Sequence, residues 1–309
     1  MHQVSVTAPS APGGASEGAN PDSVEGLFRR LEQLNEIGAA LSQERNLDGL
    51  LEKILVAAKT ITHADGGTLY LTTDDGQLSF AIMRTDSLGI ALGGTTGNPI
   101  PFYPVHLHNK DGQPNHQMVA AYAALTGKTV NIADAYSEAG FDFSGTRNFD
   151  RKSGYRSQSF LTVPMRDHEG DVIGVLQLIN RMVPGTAAIS AFSEADQRLA
   201  ESLASQAAIA ITNRRLINQL ERLFESFIRL INTAIDEKSP YTGGHCQRVP
   251  ELTMLLAEAV NDTDSGPLAD FSMNAVDRYE LRIAGLLHDC GKITTPVHVV
   301  RSEEHTSEL

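Results

Sequence analysis

Three side chains able to bind a transition metal stand in two short stretches, His245 in "YTGGHCQRV" and His288 with Asp289 in "LLHDCGK". Neutral imidazole and carboxylate suit metals such as Fe, Mn or Zn. Adjacent residues on a helix diverge by about 100°. His288 and Asp289 therefore serve one site only if it lies at the helix end, between their two directions. A carboxylate can also bridge two metals about 3.5–4 Å apart, which activate water and hold a phosphate oxygen. Lys292 follows one turn after His288, placed to meet phosphate charge, and Gly291 lets backbone come close. A His-Asp pair is otherwise an ordinary hydrogen-bonded helix end, and spacing alone leaves both readings open. Cys246 and Cys290 flank the candidate ligands. A cysteine site is conceivable there, but small buried side chains are the simpler reading.

The elements that would carry these residues follow from periodicity. Residues 199–238 predict one long helix, about 60 Å at 1.5 Å per residue. Leu199, Leu203, Gln206, Ala210, Asn213, Ile217, Leu220, Phe224, Phe227, Ile231 and Ala234 alternate in steps of four and three. That is a heptad seam with two polar intrusions, which points to a parallel homodimer; the alternative is a helix packed on its own domain. Beyond it, "VPELTMLLAEAV" and "DRYELRIAGLLHDCGK" are helical by period, and Gly291 suits a left-handed C-cap. This part reads as all-α.

Ahead of the long helix the period shifts between helix and strand. Leu27, Leu31, Leu34, Ile37 and Leu41 mark an amphipathic helix, and Asn46 can cap a second one through Leu55. "GTLYLTTDDGQLSFAIM" and "SFLTVPMRDHEGDVIGVLQLINR" read as two hairpins. "HQMVAAYAALTGKTVNIAD" reads as a helix ending near Gly127 and a short strand. The stretches 93–114 and 135–158 read as long loops. The expected class is α+β, an antiparallel sheet flanked by helices. Residues 1–23, rich in Pro, Gly, Ser and Ala, read as a disordered lead-in with no secretory signal.

Composition narrows the partners. Of 309 residues, 41% are hydrophobic and 20% charged, with a formal net charge of −13. That charge argues against nucleic acid, since nothing would neutralise phosphates over a broad face. No apolar run approaches the roughly 18 residues of a membrane span. Two cysteines make no disulfide framework and fit a reducing cytoplasm.

"YTGGH-x-x-RV" followed by "LLHD-x-GKI-x-x-P" resembles the HD superfamily of metal-dependent phosphohydrolases, and most closely its HD-GYP branch, which hydrolyses the bacterial messenger cyclic di-GMP. The resemblance implies that His245, His288 and Asp289 are metal ligands and that Lys292 contacts substrate phosphate. It implies divalent transition metals, Fe, Mn or similar, in a two-metal site. A metal-activated hydroxide would attack the phosphodiester. Some members carry a Glu four residues before the first His; Tyr241 stands there, which favours two metals over three. The family's further His, its His-His pair, its later Asp and its Gly-Tyr-Pro segment do not occur. "RSEEHTSEL" at 301–309 has no place in the family and matches a translated sequencing adapter, so 239–300 is expected to be a partial HD domain, and His298 and His305 are not assigned to the site.

"SGYRSQSFLTVPMRDHEGDVIGVLQLINR" with "AFSEADQRL" resembles a GAF domain of the cyclic-nucleotide phosphodiesterase and cyclase type, expected over 24–198. Its Asn-Lys…Phe-x-x-x-Asp-Glu signature reads here Asn180, Arg181, Phe192, Asp196 and Gln197. Arg181 keeps a cation able to pair Asp196, whereas Gln197 replaces an acid, which puts cyclic-nucleotide binding in doubt. By the same resemblance Asp150, Ser153 and Ser157 match ligand-contacting positions, with a solvated loop as the alternative. Phe141, Phe149 and Tyr155 could supply a purine platform. His106, His108 and His116 fit an exposed loop better than a metal site.

The reading is a cytoplasmic bacterial signalling protein in which a GAF sensor feeds a dimeric helix into an HD-GYP output domain. Rivals are an HD enzyme acting on other nucleotides and a sensor and dimerisation module without catalysis. On the ligands read from the sequence, the purified 309-residue chain is expected to hydrolyse cyclic di-GMP negligibly. Product analysis by chromatography checks this, and full-rate metal-dependent turnover would contradict it.

Overall fold

The computed structural model describes residues 24–238 and 244–294. The chain divides into two compact units, one running to Arg214 and the other from Arg215. The expected lead-in and tail, Tyr241, His298 and His305 lie outside the described residues, as do the side chains of Leu27 and Leu31.

In the first unit, helices α1 (Val24–Gln43) and α2 (Leu47–Thr62) precede strands β1 (Ala64–Thr72), β2 (Gln77–Thr85), β3 (Ile90–Gly93) and β4 (Val105–His106). Then come α3 (Val119–Thr126), β5 (Val130–Ile132), α4 (Ser144–Ser153), β6 (Phe160–Arg166), β7 (Val172–Met182) and β8 (Ile189–Ser190). The strands form one sheet in the order β3-β2-β1-β7-β6-β5, with β4 on β2 and β8 on β7. Every pairing is antiparallel. The α+β reading holds, with both hairpins where the β-rich runs and their turns placed them.

Local chemistry explains the boundaries. The Asn46 side chain accepts from the Asp48 amide at 2.9 Å and starts α2; His63 ends it in the left-handed conformation, φ 55°. Gly67 lets α2 lie directly on the sheet, because a Cβ there would stand 2.8 Å from Leu55 Cδ1 and 3.2 Å from the Gln177 carbonyl. One core joins Leu50, Ile54 and Leu55 of α2 to Leu69, Leu161, Leu176 and Leu178 of the sheet. A smaller cluster holds α3 by Ala120 and Ala123 against Tyr70, Leu78 and Val175.

Two loop readings need correction. The stretch 93–114 contributes the last residue of β3 and all of β4 to the sheet edge. The stretch 135–158 contains α4, whose sequence SGTRNFDRKS is too polar to show an apolar period. Caps make it instead. Asp142 accepts from the Ser144 amide at 2.8 Å, and Gly154 closes the helix at φ 72°.

Helix α5 (Glu194–Lys238) runs from the first unit into the second. Its early residues Leu199, Leu203, Ala207 and Ile211 belong to the first unit's own core. The predicted seam is thus intramolecular at its start, because the sheet already covers it. Farther on, Ile217, Leu220, Phe224 and Phe227 are exposed. Among the described residues no helix is long and apolar enough to cross a membrane.

The second unit packs α6 (His245–Asn261) against α7 (Ala275–Leu287). Asn274 and Asp277 form a reciprocal capping box at the start of α7. Gly285 permits close approach, since a Cβ there would stand 3.2 Å from Pro250 Cα. Arg278 grips Glu258 with two hydrogen bonds, at 2.7 and 3.1 Å. The left-handed cap expected at Gly291 is absent. The helix stops at Leu287 and the chain enters a 3₁₀ turn over Cys290–Ile293.

Ile54 is fully buried beneath the sheet. Ile54→Ala is expected to destabilise the first unit by about 2–5 kcal/mol, seen as a lower denaturation midpoint for that unit's transition.

Candidate metal centre and ligand pocket

His245 opens α6, His288 follows the last residue of α7, and Asp289 precedes the 3₁₀ turn. Because α7 ends there, the side chains of neighbours 288 and 289 reach one point. His288 Nε2 lies 3.2 Å from His245 Nε2 and 3.3 Å from Asp289 Oδ2. His245 Nε2 lies 3.5 Å from the same Asp289 oxygen. Among the described residues this is the one group of three or more potential ligands that converges. His106, His108 and His116 are not drawn together.

The group's chemistry fits a metal. His288 Nδ1 stands 2.7 Å from the Gly285 carbonyl. A carbonyl only accepts, so Nδ1 carries the proton and the Nε2 of the neutral ring presents a lone pair toward His245 and Asp289. This is the hydrogen bond that orients metal-ligating histidines in general. Three lone-pair atoms crowded at this separation need a cation or a proton between them. A divalent transition metal held by these three atoms would supply that cation. Lys292 Nζ donates to Asp289 Oδ2 at 2.9 Å, so Lys292 stands at the site through the carboxylate. Cys246 is buried and Cys290 exposed, and neither belongs to the converging group. A larger cavity of about 780 Å³ in the same unit is lined by Gln247, Pro250, Leu255 and Arg282. None of the three converging residues lines it.

The first unit holds a second site, a cavity of about 340 Å³ on the sheet face that carries α3 and α4. Phe149 and Tyr155 line it; Phe141 does not, and packs on Tyr122 with ring centroids 5.4 Å apart. Phe80 and Phe102, 5.5 Å apart, add wall that the sequence reading missed. Gln177 is the other omission. A lone amide inside the apolar run "VIGVLQLIN" was the available signal.

Asp150 and Ser157 face each other. The Asp150 carboxylate is buried and accepts from the Ser157 amide at 2.8 Å, the Ser157 hydroxyl at 2.7 Å and the Tyr136 hydroxyl at 2.7 Å. This bond to the carboxylate raises the Tyr136 pKa. Ser157 lines the cavity, whereas the Ser153 hydroxyl donates to the Phe149 carbonyl at 2.9 Å. Tyr155 donates to Asp65 at 2.6 Å; burial first, then this bond, pushes its pKa well above the usual phenol. Together these bonds close α4 over the cavity.

The signature residues brace the sheet's exit. Asn180, at φ 57°, accepts from the Gln158 amide at 2.7 Å and donates to the Arg156 carbonyl at 2.7 Å. Arg181 Nε donates to fully buried Asp196 at 2.7 Å. Phe192 is buried, and its carbonyl accepts from Asn131 at 3.2 Å. Gln197 takes a second bond from Asn131 at 3.2 Å, so the amide keeps a polar role where relatives have an acid.

Asp150→Ala would leave the buried Ser157 amide and hydroxyl without their acceptor. A loss of about 1–3 kcal/mol is expected. Thermal unfolding measures it, and Asp150→Asn, which retains one acceptor oxygen, should lose less.

Residues 46–211 match the GAF domain family, and residues 242–309 match the HD domain family. The chain is 26% identical over 208 residues to the dual 3',5'-cyclic-AMP and -GMP phosphodiesterase 11A of Takifugu rubripes, covering 66% of this chain and 21% of that protein. It is 28% identical over 209 residues to the cGMP-specific 3',5'-cyclic phosphodiesterase of Drosophila mojavensis, covering 66% and 17%. The chain thus spans about a fifth of the length of these curated relatives. A solved GAF domain/HD domain protein from Geobacter sulfurreducens aligns at 17% identity and a TM-score of 0.39, over 57% of this chain and 98% of that one.

Proposed function

The chain belongs to the GAF domain family and continues into an HD domain, and on that footing we propose that it carries part of the metal site of a phosphohydrolase, regulated by a small molecule at its GAF domain. The observation that carries the reading is the convergence of His245, His288 and Asp289. Two imidazoles and a carboxylate, with a lysine one turn on, suit a divalent transition metal and a phosphate ester better than they suit a helix end.

Those residues divide the work. His245, His288 and Asp289 hold the metal. The Gly285 carbonyl fixes the ring of His288. Lys292, tethered to Asp289, is placed to offset charge that builds on a phosphate. The metal when bound would polarise a phosphate oxygen and make water a better nucleophile. Cyclic di-GMP is our finer assignment of substrate. It rests on the wording of "YTGGHCQRV" and "LLHDCGKITTP", which resembles the HD-GYP branch. Control by the GAF domain would pass along α5, with the exposed Ile217, Leu220, Phe224 and Phe227 pairing with a second copy in a parallel homodimer.

Metal analysis tests the core of this. After incubation with Mn(II) or Fe(II) and desalting, about one ion per chain is expected from the three-ligand set. His288→Ala should lower occupancy by about 10-fold or more. A wild-type chain without stoichiometric metal would sink the phosphohydrolase reading and favour a non-catalytic sensor.

A further inference from the structure

The ligand class of the GAF cavity can be narrowed beyond the small molecule invoked above, and the step rests on that reading of the domain as a sensor. Among the described residues Asp142 is the one charged side chain lining the cavity, and no arginine or lysine lines it. Gly145 and Thr146, in the first turn of α4, also line it. A helix N-terminus there would ordinarily attract a phosphate. That position is already taken. The Asp142 carboxylate accepts from the Ser144 amide at 2.8 Å. This backbone bond first, then the Ser144 hydroxyl and the charge of Arg147, holds its pKa below the usual carboxylate value. An incoming phosphate would meet this like charge in the cavity lining, while the nearest cation named here, Arg147, lies outside that lining.

The rest of the cavity points to flat, uncharged chemistry. Tyr70, Phe80, Phe102, Phe149 and Tyr155 give aromatic wall. Gln177 is only 8% exposed. Its Oε1 accepts from the Tyr70 hydroxyl at 3.2 Å, and its Nε2 donates to Thr162 Oγ1 at 3.2 Å. Each bond uses one of two sites on its atom. The amide is thus oriented, with a second N–H and a second lone pair left to read a neighbouring acceptor and donor. A nucleobase edge carries that pair. The volume lies at the small end of ligand cavities, about 300–1,000 Å³.

We infer that this cavity takes an uncharged nucleobase or nucleoside, read by Gln177, and that Asp142 selects against the phosphorylated form. This departs from the cyclic-nucleotide expectation raised by the sequence.

Calorimetry on the 309-residue His288→Ala chain with a chelator present removes the HD metal site from the measurement. The probes are guanosine with cyclic GMP, and adenosine with cyclic AMP. At least one nucleoside should bind about tenfold or more tightly than its own cyclic phosphate, as a like charge at close range would impose. Asp142→Asn should shrink that gap severalfold. Gln177→Leu should weaken the nucleoside about tenfold; if that variant does not fold, the Asp142→Asn comparison still decides. A cyclic phosphate that binds as well as or better than its nucleoside overturns the inference, as does the failure of both nucleosides to bind. Neither result touches the metal stoichiometry that tests the HD reading.

Discussion

The ion pair between Arg181 and Asp196 fixes where the long helix leaves the sheet. Asp196 is fully buried, and Arg181 comes from the end of β7. Removing either partner would strand a charge in the core, a loss of about 3–5 kcal/mol in comparable cases. The same carboxylate accepts from the amide and hydroxyl of Ser193, at 3.0 and 2.7 Å, and so also caps the first turn of α5. One buried anion thereby ties strand end to helix start. The central strand that supplies Gln177 and the helix that continues into the second unit share this anchor.

Both candidate sites depend on polar groups oriented before any ligand arrives. In the second unit the Gly285 carbonyl holds the ring of His288. In the first, Tyr70 and Thr162 hold the amide of Gln177. Fixing a side chain in advance removes an ordering cost from binding. The two chemistries are otherwise opposed. The histidine cluster gathers lone pairs that call for a cation, while the GAF cavity includes a carboxylate in its lining.

Much of this was legible in the sequence. Two pairs of β-rich runs, each split by a turn signal, gave the two hairpins, and Asn46 and Gly127 marked helix ends where the structure has them. The seam of α5 was legible as a period, but a period does not say what covers it; Leu199 and Leu203 face the chain's own sheet. Helix α4 was invisible because its stability comes from caps and from one buried carboxylate, not from an apolar stripe. For the same reason Asp150 could be singled out while its partners, Ser157 and Tyr136, could not be matched to it.

The sequence by itself determined which chemistry is present: two histidines and an aspartate in family-like stretches, an acidic surface balance, and strands and helices set by local period. Only tertiary structure decided which groups meet. His245 and His288 come from different helices, and their 3.2 Å approach depends on Gly285 letting α7 close on Pro250 of α6. Asp142 reads in sequence as one loop acid among many. Its place in a cavity lining exists only because α4 folds over the sheet. Side-chain type is local and written in the chain, whereas proximity between distant segments is set by packing, which sums many weak contacts that no short stretch contains.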